Sequence, residues 1–322
     1  MITAPELRFY KEGDEVAILD LFKSVFKKDM SKIFWKWRFG KNPCDAPQII
    51  LAWDGDVLAG HYAVCPTDIT IDGQRVKAAL SMTTMTHPNY QGMGLFPSMA
   101  GALYERLDEQ GYAMVYGFPN NNSHNAFVKK LKWQDVAEIP MLSLNVDHFR
   151  PRRNLGEDCS VEPVTWQDLQ AYEVDGLLAN ANAKNGAGLW RSLTGYQWRL
   201  RDCPDVDYQP WVCTKDGMVT GLAFSKTYLD QETDIVDLVA LNDDAQYALL
   251  RDIVSAAKVK SVGRINTWCN LHSAERLMWG DCGFTPEAPI TFLGCRGFSS
   301  LTSLKSVAPQ SWRYSMMDSD VF

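Results

Sequence analysis

Tyr90-Gln91-Gly92-Met93-Gly94-Leu95-Phe96 sets two glycines between an extended apolar run, Val76 to Thr86, and a helical pattern of Leu95, Met99, Leu103 and Leu107. Strand, glycine loop and helix start, in that order, aim several backbone N–H groups at one place, with the positive end of a helix dipole behind them. That arrangement holds a phosphate or a pyrophosphate. At Gly92 and Gly94 a side chain would keep a ligand away from the backbone, and glycine accepts the positive φ that a tight loop needs. Pro97 suits the first helical turn, where a missing N–H costs nothing. The plain alternative is a strand-to-helix turn that needs glycine for geometry alone.

Apolar periodicity and Gly/Pro punctuation supply the elements that must position this loop. The first half reads as a strand at 7–10, helices at 14–26 and 32–39, and strands near 48–53, 57–69 and 76–86. A helix at 95–110, a strand at 112–117, a helix at 122–131 and strands near 134–146 follow. The second half reads as a strand near 160–164, helices at 166–179 and 188–200, and strands near 209–214, 218–228 and 233–241. It closes with a helix at 244–257, a strand at 262–268, a helix at 271–279 and a strand at 290–295. Ile71-Asp72-Gly73-Gln74 is a hairpin turn. Residues 149–158 are the best linker, which sets domains at 1–150 and 151–297, with an unassigned tail at 298–322.

The two halves repeat one another. Trp37-Arg38 recurs as Trp198-Arg199, Pro43 as Pro204, and the turn ending at Gly60 as the one ending at Gly221, each 161 positions on and without a gap. A fixed offset in a shared context points to a duplicated unit.

Composition narrows the function classes. The 322 residues suit two ordinary domains. Hydrophobic residues make up 46% and charged ones 22%, which supplies ample core. A net charge of -7 speaks against a general binder of nucleic acid or of anionic membranes. No run is long and apolar enough to span a bilayer, and the N-terminus has no signal-peptide pattern, so a cytoplasmic protein is expected. The eight cysteines include no Cys-x-x-Cys and read as reduced core thiols. Cys269, His272, Cys282 and Cys295 are too loosely spaced for zinc, so no metal is expected.

Thr86-His87-Pro88-Asn89-Tyr90-Gln91-Gly92-Met93-Gly94 resembles the acyl-CoA pyrophosphate loop of the GNAT acetyltransferase superfamily, Gln/Arg-x-x-Gly-x-Gly/Ala after a Val-x-Pro-x-Tyr approach. Gln91 and Gly94 match, while Phe96 stands where the family has Gly or Ala. The element order looks like the GNAT fold twice over. The resemblance therefore implies an α/β chain (α+β mixed sheet) of two tandem GNAT-like domains, each a mostly antiparallel sheet flanked by helices. In the second half the matching junction is Ala240-Leu241-Asn242-Asp243-Asp244-Ala245. It lacks glycine, and two carboxylates would repel a pyrophosphate. Asp243 or Asp244 there reads as a helix N-cap. The first unit is expected to bind the donor and the second to be degenerate.

The resemblance also implies site residues. Acetyl-CoA is the expected co-substrate, held by Gln91, Gly92, Met93, Gly94, Leu95 and Phe96. A splay in the fourth strand would free backbone N–H groups near Thr84, Met85 and Thr86 for the thioester oxygen, an oxyanion-hole arrangement. An Asn after the fifth strand, here Asn120 or Asn121, would contact the cofactor; the plain alternative is a helix cap. The family's Tyr position is Val128, and Leu80-Ser81-Met82-Thr83 holds no carboxylate where many relatives carry a Glu. Candidates for the proton acceptor are then His124, since an imidazole is a common general base, and Asp318 and Asp320 if the tail folds over the cleft. For each of these a structural role is the plain alternative. His61 and Tyr62 are expected on the acceptor side.

The expected reaction is transfer of an acetyl group from acetyl-CoA to a small-molecule amine, an amino sugar being one class, by direct attack. Two alternatives stand beside it. One is a tandem-GNAT transferase using aminoacyl-tRNA, which the glycine loop and acidic balance oppose. The other is a non-catalytic CoA-binding or assembly protein, which the missing Tyr and Glu keep open.

Overall fold

The computed structural model describes residues 4–184, 186–229, 231–299 and 309–320. Two compact units divide the chain elsewhere than at residues 150 and 297. One holds the residues up to Ile69, Val76–Val136 and the stretch from Phe292; the other holds Thr70–Arg75, Ala137–Thr291 and the described tail. The positions 300–308 and 321–322 of the expected tail lie outside the described residues.

In the first unit, β1 (Glu6–Phe9), α1 (Glu15–Phe26) and α2 (Lys32–Trp35) are followed by a π-helical turn (Lys36–Gly40). Then come β2 (Gln48–Asp54), β3 (Val57–Ile71), β4 (Gln74–Thr86), α3 (Leu95–Glu109), β5 (Met114–Gly117), α4 (His124–Leu131) and the start of β6 (Gln134–Asn145). β1, β2 and β3 are antiparallel neighbours, and β4 runs parallel to β5. α3 buries Leu95, Met99, Leu103 and Leu107, spaced four apart, against Ile50, Ala52, Tyr62 and Val64 of the sheet.

In the second unit β7 (Ser160–Pro163), α5 (Asp175–Lys184), β8 (Ala187–Leu189) and α6 (Leu193–Tyr196) lead to a second π turn (Gln197–Arg201). They are followed by β9 (Gln209–Lys215), β10 (Met218–Thr227), β11 (Glu232–Ala240), α7 (Asp243–Val259), β12 (Arg264–Thr267), α8 (Glu275–Asp281), β13 (Thr285–Gly297) and, in the tail, β14 (Trp312–Arg313). β7, β9, β10 and β11 are antiparallel and β11 runs parallel to β12. Both units are thus mixed, largely antiparallel sheets with helices against them.

Each sheet is completed by a strand from the other half. Arg296 and Gly297 of β13 pair with Val115 and Met114 in the first unit, and Leu142–Asn145 of β6 pair with β12 in the second.

The duplication is visible in detail. Ser31 and Ser192 are both N-caps, accepting from Phe34 N and Gly195 N. The π turns, β2 with β9, and the starts of β3 and β10 keep the 161-residue offset. Gly60 and Gly221 lie inside strands, not at turn ends. A Cβ on Gly60 would meet Met99 Cε at 2.8 Å, and one on Gly221 would meet Leu249 Cδ1 at 2.8 Å. Both glycines let the long helix close on its sheet. Ser31→Ala and Ser192→Ala are each expected to cost about 1 kcal/mol in chemical unfolding.

Three further sequence expectations need correction. The helix read at 166–179 is a short turn at Asp168–Ala171 followed by α5. Thr165 caps that turn by accepting from Asp168 N at 3.1 Å, and Val174 N bonds Tyr172 O, which breaks the ladder before α5 starts. The helix read at 188–200 begins as β8, which pairs in parallel with β14. At the junction before α7 the N-cap is Asn242, accepting from Ala245 N at 3.0 Å, while Asp244 accepts from Gly156 N.

Candidate active site

The glycine loop is tied down at its approach. His87 N bonds Ala59 O at 2.9 Å, His87 Nδ1 accepts from Asn89 N, and the Tyr90 hydroxyl donates to Asp54 Oδ2 at 2.7 Å. Gly92 and Gly94 sit at φ +82° and +76°, which other residues rarely adopt, and a Cβ on either would point into open space. The helical ladder starts at Ser98 N→Gly94 O. The amides of Gly92 to Phe96 therefore precede it and are not used within the helix. Gln91, Gly92, Met93 and Gly94 are exposed, and Leu95 is buried in the core of the unit. Phe96 packs edge-on against Phe127 and Tyr62, so the side chain replacing the family's small residue turns into the α3–α4 contact.

β4 bends just before this loop. Its pairing with β5 runs from Ala78↔Met114 to Leu80↔Tyr116. Thr83 then takes φ +50°, inside an otherwise extended strand. A β-branched residue with positive φ is a genuine outlier. Thr84 and Thr86 are half-buried and Met85 is buried.

His61 and Tyr62, expected on the acceptor side, are both wholly enclosed. Tyr62 OH joins Ser81 Oγ at 2.9 Å and Tyr104 OH at 2.7 Å, and Trp133 Nε1 donates to Tyr104. Burial pushes the Tyr62 phenol up to about 12. His61 Nδ1 lies 2.7 Å from Thr83 O. Burial lowers the imidazole to about 4. A depressed histidine favours the fold above the unfolded value near 6.5 and loses that contribution as pH falls toward 4. Compared with His61→Leu, the native chain should lose on the order of 3 kcal/mol between those two pH values. Urea melts of both proteins across that range check it.

His124 opens α4, its Nε2 lies 2.6 Å from Asp135 Oδ1, and its ring stacks on Phe292 at 3.9 Å. Asn120 Oδ1 accepts from Asn122 N and Ser123 N, so it caps the turn into α4; Asn121 is exposed. The plain helix-cap role expected for this run is the one Asn120 fills.

Asp320 is half-buried in the second unit, beside Ser319, whose carbonyl accepts from Arg199. Asp318 is buried with an ion network that sequence reasoning missed. Arg191 reaches Asp237 at 2.8 Å and Asp318 at 3.1 Å, Arg313 reaches Asp237 at 3.0 Å, and Tyr196 OH donates to Asp237. Burial alone would raise Asp237, but the guanidiniums of Arg191 and Arg313 reverse it and hold the carboxyl well below its usual range. Burial raises Asp318, and Arg191 offsets only part of that rise. The visible signal was an aspartate in the apolar run Ile235-Val236-Asp237-Leu238-Val239. Asn270 Nδ2, at the second half's counterpart of the cap, donates to Pro309 O and Trp312 O of the tail.

Seven of the eight cysteines are buried and Cys44 is exposed, all as free thiols. Among the described residues no cluster of His, Cys, Asp and Glu could hold a metal ion, and no helix is long and apolar enough to cross a membrane.

Residues 6–135 match the model of a GNAT acetyltransferase domain. No curated protein sequence matches the chain. Among solved structures, a conserved protein of unknown function from Enterococcus faecalis, described as a probable N-acyltransferase, is similar at a TM-score of 0.74 and 16% identity, over 92% of this chain and 72% of that one. A GCN5-related N-acetyltransferase from Anabaena variabilis is similar at 0.71 and 14%, over 90% and 72%. N-myristoyltransferase of Saccharomyces cerevisiae, solved with bound myristoyl-CoA and inhibitors, is similar at 0.62 and 12%, over 97% and 87%. Such identities speak for the fold, and the family model speaks for the first half. Residues 6–135 are thus a GNAT acetyltransferase domain, and the chain as a whole shares the fold of these solved structures.

Proposed function

We propose that this chain moves an acetyl group from acetyl-CoA to the amine of a small molecule, with one donor site per chain, in the first unit. The observation that carries the reading is the loop at Gln91–Phe96: two left-handed glycines, open space above them, and helix-start amides outside the α3 ladder. That donor set fits a diphosphate. The second unit has Asn242 capping α7 and carboxylates in place of the loop, which fits no anion.

The bound donor supplies an activated thioester carbonyl. The amides of Thr84 and Thr86, past the end of the β4–β5 pairing and on the edge away from β3, are the groups we assign to the charge that builds on the carbonyl oxygen. Asp135 accepts only, so His124 Nε2 carries a proton in the pair and Nδ1 keeps the lone pair. We assign Nδ1 to take the proton from the incoming ammonium, directly or through water.

An amine panel with amino sugars first, read by release of free thiol from acetyl-CoA, tests the reading. Turnover with at least one amine is expected, and His124→Ala should cut it by about 10²–10⁴-fold. CoA binding with no thiol release from any amine would point instead to a non-catalytic binder. Release of the aminoacyl group from charged tRNA, with acetyl-CoA inert, would point to the tRNA-dependent alternative.

A further inference from the structure

Thr83 needs something to hold it. The Asp72-Gly73 turn sets Ile71 opposite Gln74, yet at the far end of the pair His87 N bonds Ala59 O, one residue out of that register. One residue of β4 is therefore extra, and Thr83 with φ +50° marks where. The group in contact with it is His61, whose Nδ1 meets the Thr83 carbonyl at 2.7 Å. A carbonyl only accepts, so the proton sits on Nδ1. Nε2, itself buried, has no hydrogen-bond partner among the described residues. Leaving a ring nitrogen unsatisfied is costly, so the contact to Thr83 is what this histidine does there.

The second unit supplies an internal comparison. Its β10–β11 pair slips by one residue at the matching place, between Phe224↔Asp237 and Ser225↔Ile235. By the 161-residue offset, Leu222 stands where His61 stands. Neither Val236 nor Asp237 takes positive φ. Both halves keep the bulge, but the left-handed residue and its imidazole clamp occur only in the half that carries the glycine loop.

We infer that His61 is a positioning residue: its Nδ1–H clamps the Thr83 carbonyl, fixing the bulge so that the amides of Thr84 and Thr86, which point away from β3, face the reacting carbonyl. This rests on the acyl-donor reading above. A backbone residue that is strained and over-determined by its surroundings is what a preorganised site requires. Burial keeps the ring neutral down to about 4, which leaves one N–H, and the Thr83 carbonyl places it on Nδ1.

His61→Leu installs the second unit's residue, and His61→Asn keeps a donor near the Nδ1 position. Calorimetry with free CoA and acetyl-CoA, with kcat and KM from thiol release, reads both. In His61→Leu, kcat should fall about a hundredfold, with the dissociation constant for free CoA unchanged, and His61→Asn should recover most of the loss. Native kcat in His61→Leu, or equal loss of CoA binding and turnover, overturns the clamp while leaving the donor reading intact. Failure of the native protein to bind CoA overturns the donor reading itself. Should His61→Leu not fold, nitrogen-15 spectra of the native histidine decide: a neutral ring protonated on Nδ1 from pH 8 to 5 supports the clamp, and protonation on Nε2 overturns it.

Discussion

Asp237→Ala should destabilise the second unit by about 3–5 kcal/mol, because it strands two buried guanidiniums without their shared carboxylate. Arg191 and Asp237 have fully buried side chains, and Arg313 is nearly so. Removing one member of such a set costs far more than the set itself contributes. Hydrogen exchange should show faster opening across β10 and β11, with the first unit's α3 unaffected. The sign with pH follows from the depressed Asp237: its contribution is present above the unfolded value near 4 and is lost as pH falls below it. Protection that is unchanged in Asp237→Ala would mean the network is stabilised by something other than its charges.

The second large effect is on ligand binding. Acetyl-CoA at a hundred times its dissociation constant should stabilise the first unit by about 2.7 kcal/mol. Gly92→Glu should remove that gain, since it sets a carboxylate where the diphosphate would lie and forces a side chain to φ +82°. The backbone penalty alone is about 1–2 kcal/mol. Gly217→Ala, at φ +77° in the β9–β10 turn, carries a similar penalty and should keep the full ligand shift. Thermal melts of the three proteins with and without acetyl-CoA separate strain from lost binding.

Local signals made much of this legible. The glycine loop is written in adjacent residues and the repeat in a fixed offset, and α3 declares itself through Leu95, Met99, Leu103 and Leu107. What stayed hidden depends on distant partners. β8 reads as helix because Ala187-Gly188-Leu189 has no strand pattern of its own, and it is extended because Trp312 and Arg313 lie on one side of it and the end of β3 on the other. The exchange of β6 and β13 is invisible for the same reason: a strand's sequence does not name its neighbour.

The site was legible where backbone geometry sufficed and obscure where burial decided. Gly92 and Gly94 adopt the positive φ that their type allows. His61 reads as a surface ligand until the sheet closes over it, and Thr83 carries no sign of its left-handed turn. Asp237 looks like an interruption in an apolar strand until Arg191 and Arg313 arrive from far along the chain.

A crystal soaked with coenzyme A puts the central claim at risk most directly. The expected map shows one molecule per chain, its diphosphate within hydrogen-bond distance of the amides between Gly92 and Phe96. Density at the Asn242–Asp244 junction instead, or none at either place, would contradict it.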